Sequence, residues 1–304
     1  MGGRGSATKK ILITGCSGFI GINSVAYALK NGYQVVGLDL NTLKFKHKNL
    51  TFIKGDIRDR ATVEKAVKGC KYVLHLAALA SLPDFERDLF GNYMTNVFGF
   101  LNVLEAARKN GCKRFAYASS SAVYVNSPGF SEDTVIDVTK LRNHYGKSKL
   151  IDEMIADSYT DAHVMGVVGL RYFNIYGPGE EDKFRSSPVM QLLISKKSTD
   201  KVTIFGDGKQ AKDFTHIDDA VSITFRLMED ATSIGVYNVG TGVSTSMNAL
   251  ARLLNPAKTV YVRNPYLSTY MFYLKADTRK LTRKLGRYKF IRLKDGVSQL
   301  LSAK

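Results

Sequence analysis

The stretch Lys10-Ile11-Leu12-Ile13-Thr14-Gly15-Cys16-Ser17-Gly18-Phe19-Ile20-Gly21 limits the possible folds more than any other part of the chain. A short apolar run ending in turn residues is the pattern of a strand buried on both faces, as in a parallel sheet. It passes directly into glycines and then into an apolar-periodic segment reaching about Lys30, which reads as a helix. Glycines there permit a tight turn and close backbone approach to a pyrophosphate. The helix N-terminus that follows supplies free N–H groups and partial positive charge for the phosphates. A glycine triplet alone is a weak signal, and its strand–turn–helix setting strengthens it. Ile11 to Leu29 carries no charge and follows Lys9-Lys10, a superficial likeness to a signal sequence. Thr14, Gly15, Ser17, Gly18, Gly21, Asn23 and Ser24 suit a strand, a turn and a helix better than a membrane span. The first eight residues read as a flexible leader.

Further strands follow at α/β spacing: Gln34 to Leu38, Thr51 to Lys54, Tyr72 to His75, Arg114 to Ala118 and Val164 to Tyr172. Helices are expected from the cap Asp59 to Gly69, over Asn92 to Asn110, and through Tyr145 to about Tyr159. This alternation predicts an α/β fold, a Rossmann-type doubly wound parallel sheet. Residues 9–172 are expected to form the dinucleotide-binding domain. Residues 173–304 are expected to form mainly a smaller C-terminal α/β substrate lobe, with some elements returning to the sheet. Gly15, Asp39, Ala77 and Ser121 all fall at strand C-termini, where ligands bind such sheets. Asp39 lies about 20 residues beyond the glycines, where a carboxylate accepts hydrogen bonds from ribose hydroxyls. It would repel a 2′-phosphate, which favours NAD over NADP. Asp56 is placed to bond the adenine amino group, and His75 reads as a packed structural histidine.

Leu141 to Leu150 contains the other constraining pattern, Tyr145 and Lys149. Residues at i and i+4 share one helical face, so the spacing brings an ammonium towards a phenol. A nearby cation favours the phenolate, and the pair makes a usable general base at neutral pH.

The chain has 304 residues, 44% hydrophobic and 23% charged, as expected of a globular protein with a sizeable core. Cys16, Cys70 and Cys112 show no CxxC spacing, which argues against a disulfide framework or zinc site and fits a reducing cytoplasm. No metal site is expected. A net charge of +17 invites a nucleic-acid reading. Yet Lys and Arg are scattered, with a mild concentration from Arg279 to Lys294, and no basic block is interleaved with aromatics. Neither a nucleic-acid partner nor a membrane is therefore expected.

Many ordered motifs converge on one family. They are Thr14-Gly15-x-x-Gly18-Phe19-Ile20-Gly21, Asp56-Ile57-x-Asp59, His75-Leu76-Ala77-Ala78, Ser119-Ser120-Ser121 with Val123-Tyr124, and Tyr145-x-x-x-Lys149. Farther on come Arg171 to Pro178, Phe205-Gly206-Asp207-Gly208-x-Gln210-x-x-Asp213-Phe214, Asn238 to Gly242, and Ala276-Asp277. From about Lys10 onward the chain resembles the extended short-chain dehydrogenase/reductase family, and within it the NAD-dependent nucleotide-sugar epimerases that include UDP-glucose 4-epimerase. The resemblance implies Tyr145 as catalytic acid/base, Lys149 as the group that lowers its pKa and holds the nicotinamide ribose, and Ser121 as the hydroxyl bonding the reacting sugar oxygen. It implies cofactor contacts from Gly15, Ser17, Gly18, Phe19, Ile20, Gly21, Asp39, Leu40, Asp56, Ile57, Leu76, Ala77, Ala78, Asn96, Ser119, Tyr145, Lys149 and Tyr172. Substrate contacts are implied for Ser81, Ser121, Tyr145, Asn174, Phe205, Lys212, Arg263 and Tyr270. The implied chemistry is hydride removal from a sugar hydroxyl carbon, rotation of the 4-keto sugar, and hydride return to its other face. A homodimer through a four-helix interface, formed by Asn92–Asn110 and Asn143–Tyr159, is also implied.

The departures sharpen this expectation. Dehydratases and decarboxylases of the family usually carry an acid within the motif that reads Ser-Ser-Ser-Ala here, and Ala122 cannot serve as one. Val125 stands where the family commonly has glycine, a local loop change. Lys212 stands where many members have arginine, offering a point charge rather than a bidentate fork. Arg263-Asn264-Pro265-Tyr266 and Tyr270 replace the usual nucleotide clasp. The expected activity is UDP-glucose/UDP-galactose 4-epimerisation. The alternatives are an epimerase for another UDP-sugar (N-acetylhexosamine, uronic acid or pentose) and a nucleotide-sugar reductase or dehydrogenase. A non-catalytic dinucleotide- or RNA-binding protein ranks below these, because it leaves Ser121, Tyr145 and Lys149 without purpose.

Overall fold

A computed structural model of the chain describes residues 9–80, 85, 87–124, 130–141, 143–161, 165–181, 186–264 and 271–302. It contains a seven-stranded sheet. Its strands are β1 (Lys10–Thr14), β2 (Gln34–Asp39), β3 (Leu50–Lys54), β4 (Tyr72–His75), β5 (Arg114–Ser120), β6 (Gly166–Tyr172) and β11 (Gly235–Val239). Their spatial order is β11-β6-β5-β4-β1-β2-β3. β1 runs parallel to β2 and to β4, β2 to β3, and β4 to β5. The chain therefore winds outward in both directions from β1, and a ligand crevice opens where strand order reverses.

The Ile11–Leu29 stretch forms β1, a turn and helix α1 (Phe19–Lys30), and among the described residues no helix is long and apolar enough to cross a membrane. Ile11, Leu12 and Ile13 are fully buried, as a doubly covered strand requires. Helix α2 (Arg60–Val67) begins at Asp59, whose carboxylate accepts from the Ala61 N–H at 3.1 Å, the expected cap. The helix expected over Asn92–Asn110 differs. It starts at Leu89 as α3 (Leu89–Tyr93), passes through a π-turn at Met94–Phe98, and continues as α4 (Gly99–Lys109). Sequence periodicity does not register the one-residue insertion that such a turn makes. Helix α5 (His144–Asp161) carries Tyr145 and Lys149.

The described residues group into two compact units. One takes those within Met1–Ala118, Ile151–Gly169 and Thr224–Gly235; the other takes those within Ser119–Leu150, Leu170–Ile223 and Val236–Lys304. The first is built on Leu12, Val36, Val73, Phe100, Leu104 and Phe115. The second has one core around Val189, Leu193, Ile204 and Leu250, and a smaller one around Tyr124, Phe130 and Phe173.

Arg114, at the start of β5, is buried in the first unit. Its guanidinium donates to the carbonyls of Leu227 (3.2 Å), Met228 (2.9 Å), Ala231 (3.3 Å) and Ser233 (2.5 Å). Leu227 and Met228 lie at the end of the helix Ile217–Glu229, so the cation meets carbonyls left without helical partners. Gly166 lies against the same group; a Cβ there would stand 1.8 Å from the Arg114 Nη1. Arg114→Leu strips a charged donor from these carbonyls and is expected to cost about 3–5 kcal/mol, as breaking buried charged contacts does. Urea unfolding measures it, and a loss below about 1 kcal/mol would contradict the structural role.

Candidate active site

In the first unit, the turn after β1 brings main chain against main chain. Gly15 has φ +66°, and a Cβ on it would lie 2.7 Å from the Ala77 nitrogen at the end of β4. A Cβ on Gly21 would lie 2.0 Å from the Gly15 carbonyl oxygen. Gly18 caps α1 without any side-chain hydrogen bond, unlike Asp59 at α2. Phe19, Ile20 and Gly21 form the first turn of α1, so its opening N–H groups face no capping side chain.

A cavity of about 270 Å³ opens beside this turn. Gly15, Ser17, Gly18, Asp39, Leu40, Asp56, Ile57, Leu76, Ala77 and Ala78, all among the expected cofactor residues, line it. Asn41, Gly55, Leu79 and Thr95 also line it, and no motif pointed to them. The Asp39 carboxylate accepts from the N–H groups of Ser17 and Asn41, each at 2.9 Å, which fixes it at the strand end. Asp56 accepts from the Arg58 N–H and guanidinium at 2.9 Å, and that cation holds its carboxyl below the usual range. Asn96 is buried in the π-turn and bonds the main chain of Leu79. Glycines without room for a side chain, an uncapped helix start and a carboxylate fixed at a strand end together fit a dinucleotide.

His75 is the structural residue expected. Its Nδ1 pairs with the Thr14 hydroxyl at 2.8 Å, and its ring packs on Phe100 and Phe115. Thr14 in turn accepts from the N–H groups of Leu76 and Ala77, both at 3.2 Å. Cys16, Cys70 and Cys112 are free and buried, with burial raising each thiol.

In the second unit, Ser119 and Ser120 end β5, and Ser121–Val123 form one turn of 3-10 helix. The Ser120 hydroxyl caps that turn, accepting from the Ala122 N–H at 3.1 Å. The first turn of α5 rests on it directly. Asn143 donates to the Ala122 carbonyl at 3.4 Å and accepts from the Gly146 N–H. A Cβ on Gly146 would stand 2.5 Å from the Ala122 oxygen, so glycine is what lets helix and turn meet. Ser121 and Tyr145 thus belong to contacting segments, and Lys149 follows one helical turn later, buried. Behind them, Tyr124 donates to Asn238 Oδ1 at 2.7 Å and accepts from Arg171 at 2.9 Å. Asn238 extends the net to the carbonyls of Phe130 and Asp277. Burial pushes the Tyr124 phenol up to about 12, so it stays a neutral donor.

Tyr172, expected at the cofactor, is buried at the end of β6 in this unit. Of the expected substrate residues, Asn174, Phe205, Lys212 and Arg263 are also in this unit, and Asn174 donates to the Asp213 carbonyl at 3.2 Å. Phe205 ends β8 (Lys201–Phe205), partly exposed, and Arg263 is exposed just beyond β13 (Lys258–Val262). Lys212, on β9 (Ala211–Asp213), is buried and donates to the Met271 carbonyl; burial brings its ammonium down to about 8. Ser81 and Tyr270 lie outside the described residues, as does Val125. Sequence reasoning assigned no role to Asp213. Its buried carboxylate accepts from Thr241 N (3.0 Å), Thr241 Oγ1 (2.6 Å), Gly242 N (2.8 Å) and Ala276 N (3.1 Å).

The family model described as the NAD dependent epimerase/dehydratase family matches residues 11–240. A UDP-N-acetyl-alpha-D-glucosaminuronate decarboxylase of Bacillus cytotoxicus is 31% identical over 255 residues, covering 80% of this chain and 78% of that protein. A putative UDP-glucose 4-epimerase of Methanocaldococcus jannaschii is 28% identical over 301 residues, covering 96% and 97%. Among solved structures, MoeE5 in complex with UDP-glucose and NAD superposes with a TM-score of 0.85 at 28% identity, covering 96% of this chain and 97% of that one.

Proposed function

The chain belongs to the NAD dependent epimerase/dehydratase family, and from that premise we propose that it is a UDP-sugar 4-epimerase interconverting UDP-glucose and UDP-galactose. The contact of α5 with the Ser121–Val123 turn carries this reading, because it assembles a hydroxyl, a phenol and an ammonium on adjoining segments. Relatives include both a decarboxylase and an epimerase. Ala122, at the centre of the turn, supplies no acid or base for elimination, which favours epimerisation.

The first-unit cavity would hold NAD, with Asp39 at the ribose and the α1 N-terminus at the pyrophosphate. The chemistry supplied by NAD there would be reversible acceptance of a hydride from the sugar carbon. Tyr145 takes the proton of the sugar hydroxyl as that carbon is oxidised and gives it back when the carbonyl is reduced. Ser121 hydrogen-bonds the same oxygen, and Lys149 supplies positive charge one helical turn away. Asn174 and Lys212 would meet the diphosphate. Wild-type protein is expected to equilibrate UDP-glucose and UDP-galactose with no net NADH. Tyr145→Phe should lower kcat by about 10²–10⁴-fold while UDP and NAD still bind. A coupled assay over a UDP-sugar panel checks both, and an enzyme inactive on every UDP-hexose would sink the reading.

Lys212 adds a pH signature. A diphosphate favours its ammonium form, so UDP affinity should hold below pH 8 and decline as pH rises through about 8, where the buried amine loses its proton. Lys212→Arg, which stays charged, should flatten that decline in calorimetric titrations between pH 7 and 9.5. An unchanged decline would remove Lys212 from the phosphate site.

The protein is also read as a cytoplasmic homodimer, with neither nucleic acid nor membrane as partner. Phe90, Phe98 and Met154 are 79%, 53% and 66% exposed on α3, the π-turn and α5, an apolar load that a second copy would cover. Sedimentation should give twice the chain mass, and Met154→Glu should shift it to monomer. A wild-type protein that sediments only as monomer would contradict the assembly.

A further inference from the structure

Two of the three cysteines stand in matching places. Gly69-Cys70-Lys71 joins α2 to β4, and Gly111-Cys112-Lys113 joins α4 to β5. Each glycine turns the chain in the left-handed region, at φ +73° and +66°. Each cysteine amide then bonds back to the helix just left, Cys70 to the Val67 carbonyl at 2.9 Å and Cys112 to the Ala107 carbonyl at 3.0 Å. β4 and β5 are parallel neighbours with Tyr72 opposite Arg114. Two residues earlier on each chain, the same register sets Cys70 opposite Cys112.

Opposite residues of a parallel pair point to one face, and neighbouring strands lie about 4.8 Å apart. That spacing falls within the roughly 4.4–6.8 Å that separates the Cα atoms of a disulfide. The side chains agree with the register. Both thiols enter one core cluster, at 1% and 3% exposure, and the Cys112 thiol donates to the Cys70 carbonyl at 3.2 Å. Gly69, Lys71, Gly111 and Lys113, which flank them, are exposed, so each thiol lies one residue beneath the surface. Burial raises the two thiols to about 11 and about 12, while Lys10 acts the other way on Cys70 and Lys71 on Cys112. Reaction therefore waits on the opening of one of these short surface turns.

We propose that Cys70 and Cys112 form a reversible disulfide, an oxidation site that fastens the α2–β4 turn to the α4–β5 turn in the first unit. The oxidant is a low-molecular-weight disulfide. One cysteine thiolate attacks it and expels a small thiolate, leaving a mixed disulfide; the other cysteine thiolate attacks the protein sulfur and expels the second. The two small thiolates carry away the two protons, the oxidant gains two electrons, and the cysteine pair loses two. A reducing compartment keeps the dithiol, and an oxidising one makes the link. The link closes a loop of about 40 residues, which restricts the unfolded chain and stabilises the folded one. It sits ahead of the first residue of β4, whereas the candidate cofactor cavity opens beyond the last, at Leu76 to Ala78.

The test exposes the folded, full-length protein to excess oxidised glutathione at mildly alkaline pH. Thiols counted after denaturation should fall from three to one. Peptide mapping should find Cys70 joined to Cys112, and the melting temperature should rise by roughly 5 °C. Dithiothreitol should reverse all three changes, and Cys70→Ser should show no rise. A wild-type protein that keeps its three thiols through the treatment overturns the proposal. So do glutathione adducts on either cysteine with no link between them, and a link that leaves the melting temperature unmoved. If Cys70→Ser does not fold, the wild type before and after dithiothreitol supplies the same comparison, and equal melting temperatures there overturn the proposal as well.

Discussion

The approach of three stretches of main chain around Gly15 is the constraint from which the rest of the first unit follows. Gly21 presses on the Gly15 carbonyl, and Gly15 presses on Ala77, at distances where no Cβ fits. Removing two side chains costs conformational entropy in the unfolded chain. In return α1 starts tight against the sheet, and β1 and β4 end close together, at the place where strand order reverses. The cavity, the exposed N–H groups of α1 and the fixed Asp39 carboxylate are consequences of that one contact. Any substitution that restores a Cβ there must open either the helix or the strand pair.

A second contact of the same kind organises the chemistry. Gly146 lets α5 settle on the Ala122 carbonyl, and Asn143 locks the joint from its side chain. The Ser121 and Tyr145 segments are thereby held by backbone geometry and not by side-chain packing alone, which would suit the proposed pair through two opposite hydride transfers. The Arg171–Tyr124–Asn238 chain stiffens the strand exit from behind. Asp213 does similar work farther on, gathering donors from Thr241, Gly242 and Ala276 around one buried carboxylate.

What the sequence made legible was whatever depends on local pattern. Buried strands such as Ile11–Ile13 announce themselves by unbroken apolar runs, Asp59 by its capping position, and Asp39 by its distance from the glycines. The Tyr145–Lys149 spacing needs only a helix to put both on one face. What stayed hidden depends on residues far apart in the chain. Arg114 looks like an ordinary basic residue opening a strand, and only the arrival of Leu227 and Met228 buries it. Asp213 reads as part of a motif, but its four donors come from two distant segments. The interruption at Met94–Phe98 has no signature in hydrophobic period, because a single inserted residue leaves apolar stripes on both sides of it.

These hidden interactions share a form: a buried polar side chain satisfying main-chain groups that no regular element satisfies. Arg114 serves the end of a helix, Asp213 a cluster of loop N–H groups, and Asn96 a cavity wall with no ladder of its own. Burying such a group without partners would cost more than the net gain of any one bond, so each acts as an all-or-none specification of where a loop lies. In a doubly wound sheet the loops at the strand ends carry the ligands, while the strands themselves are fixed by hydrophobic burial. The polar anchors are therefore what convert a stable sheet into a site with defined walls.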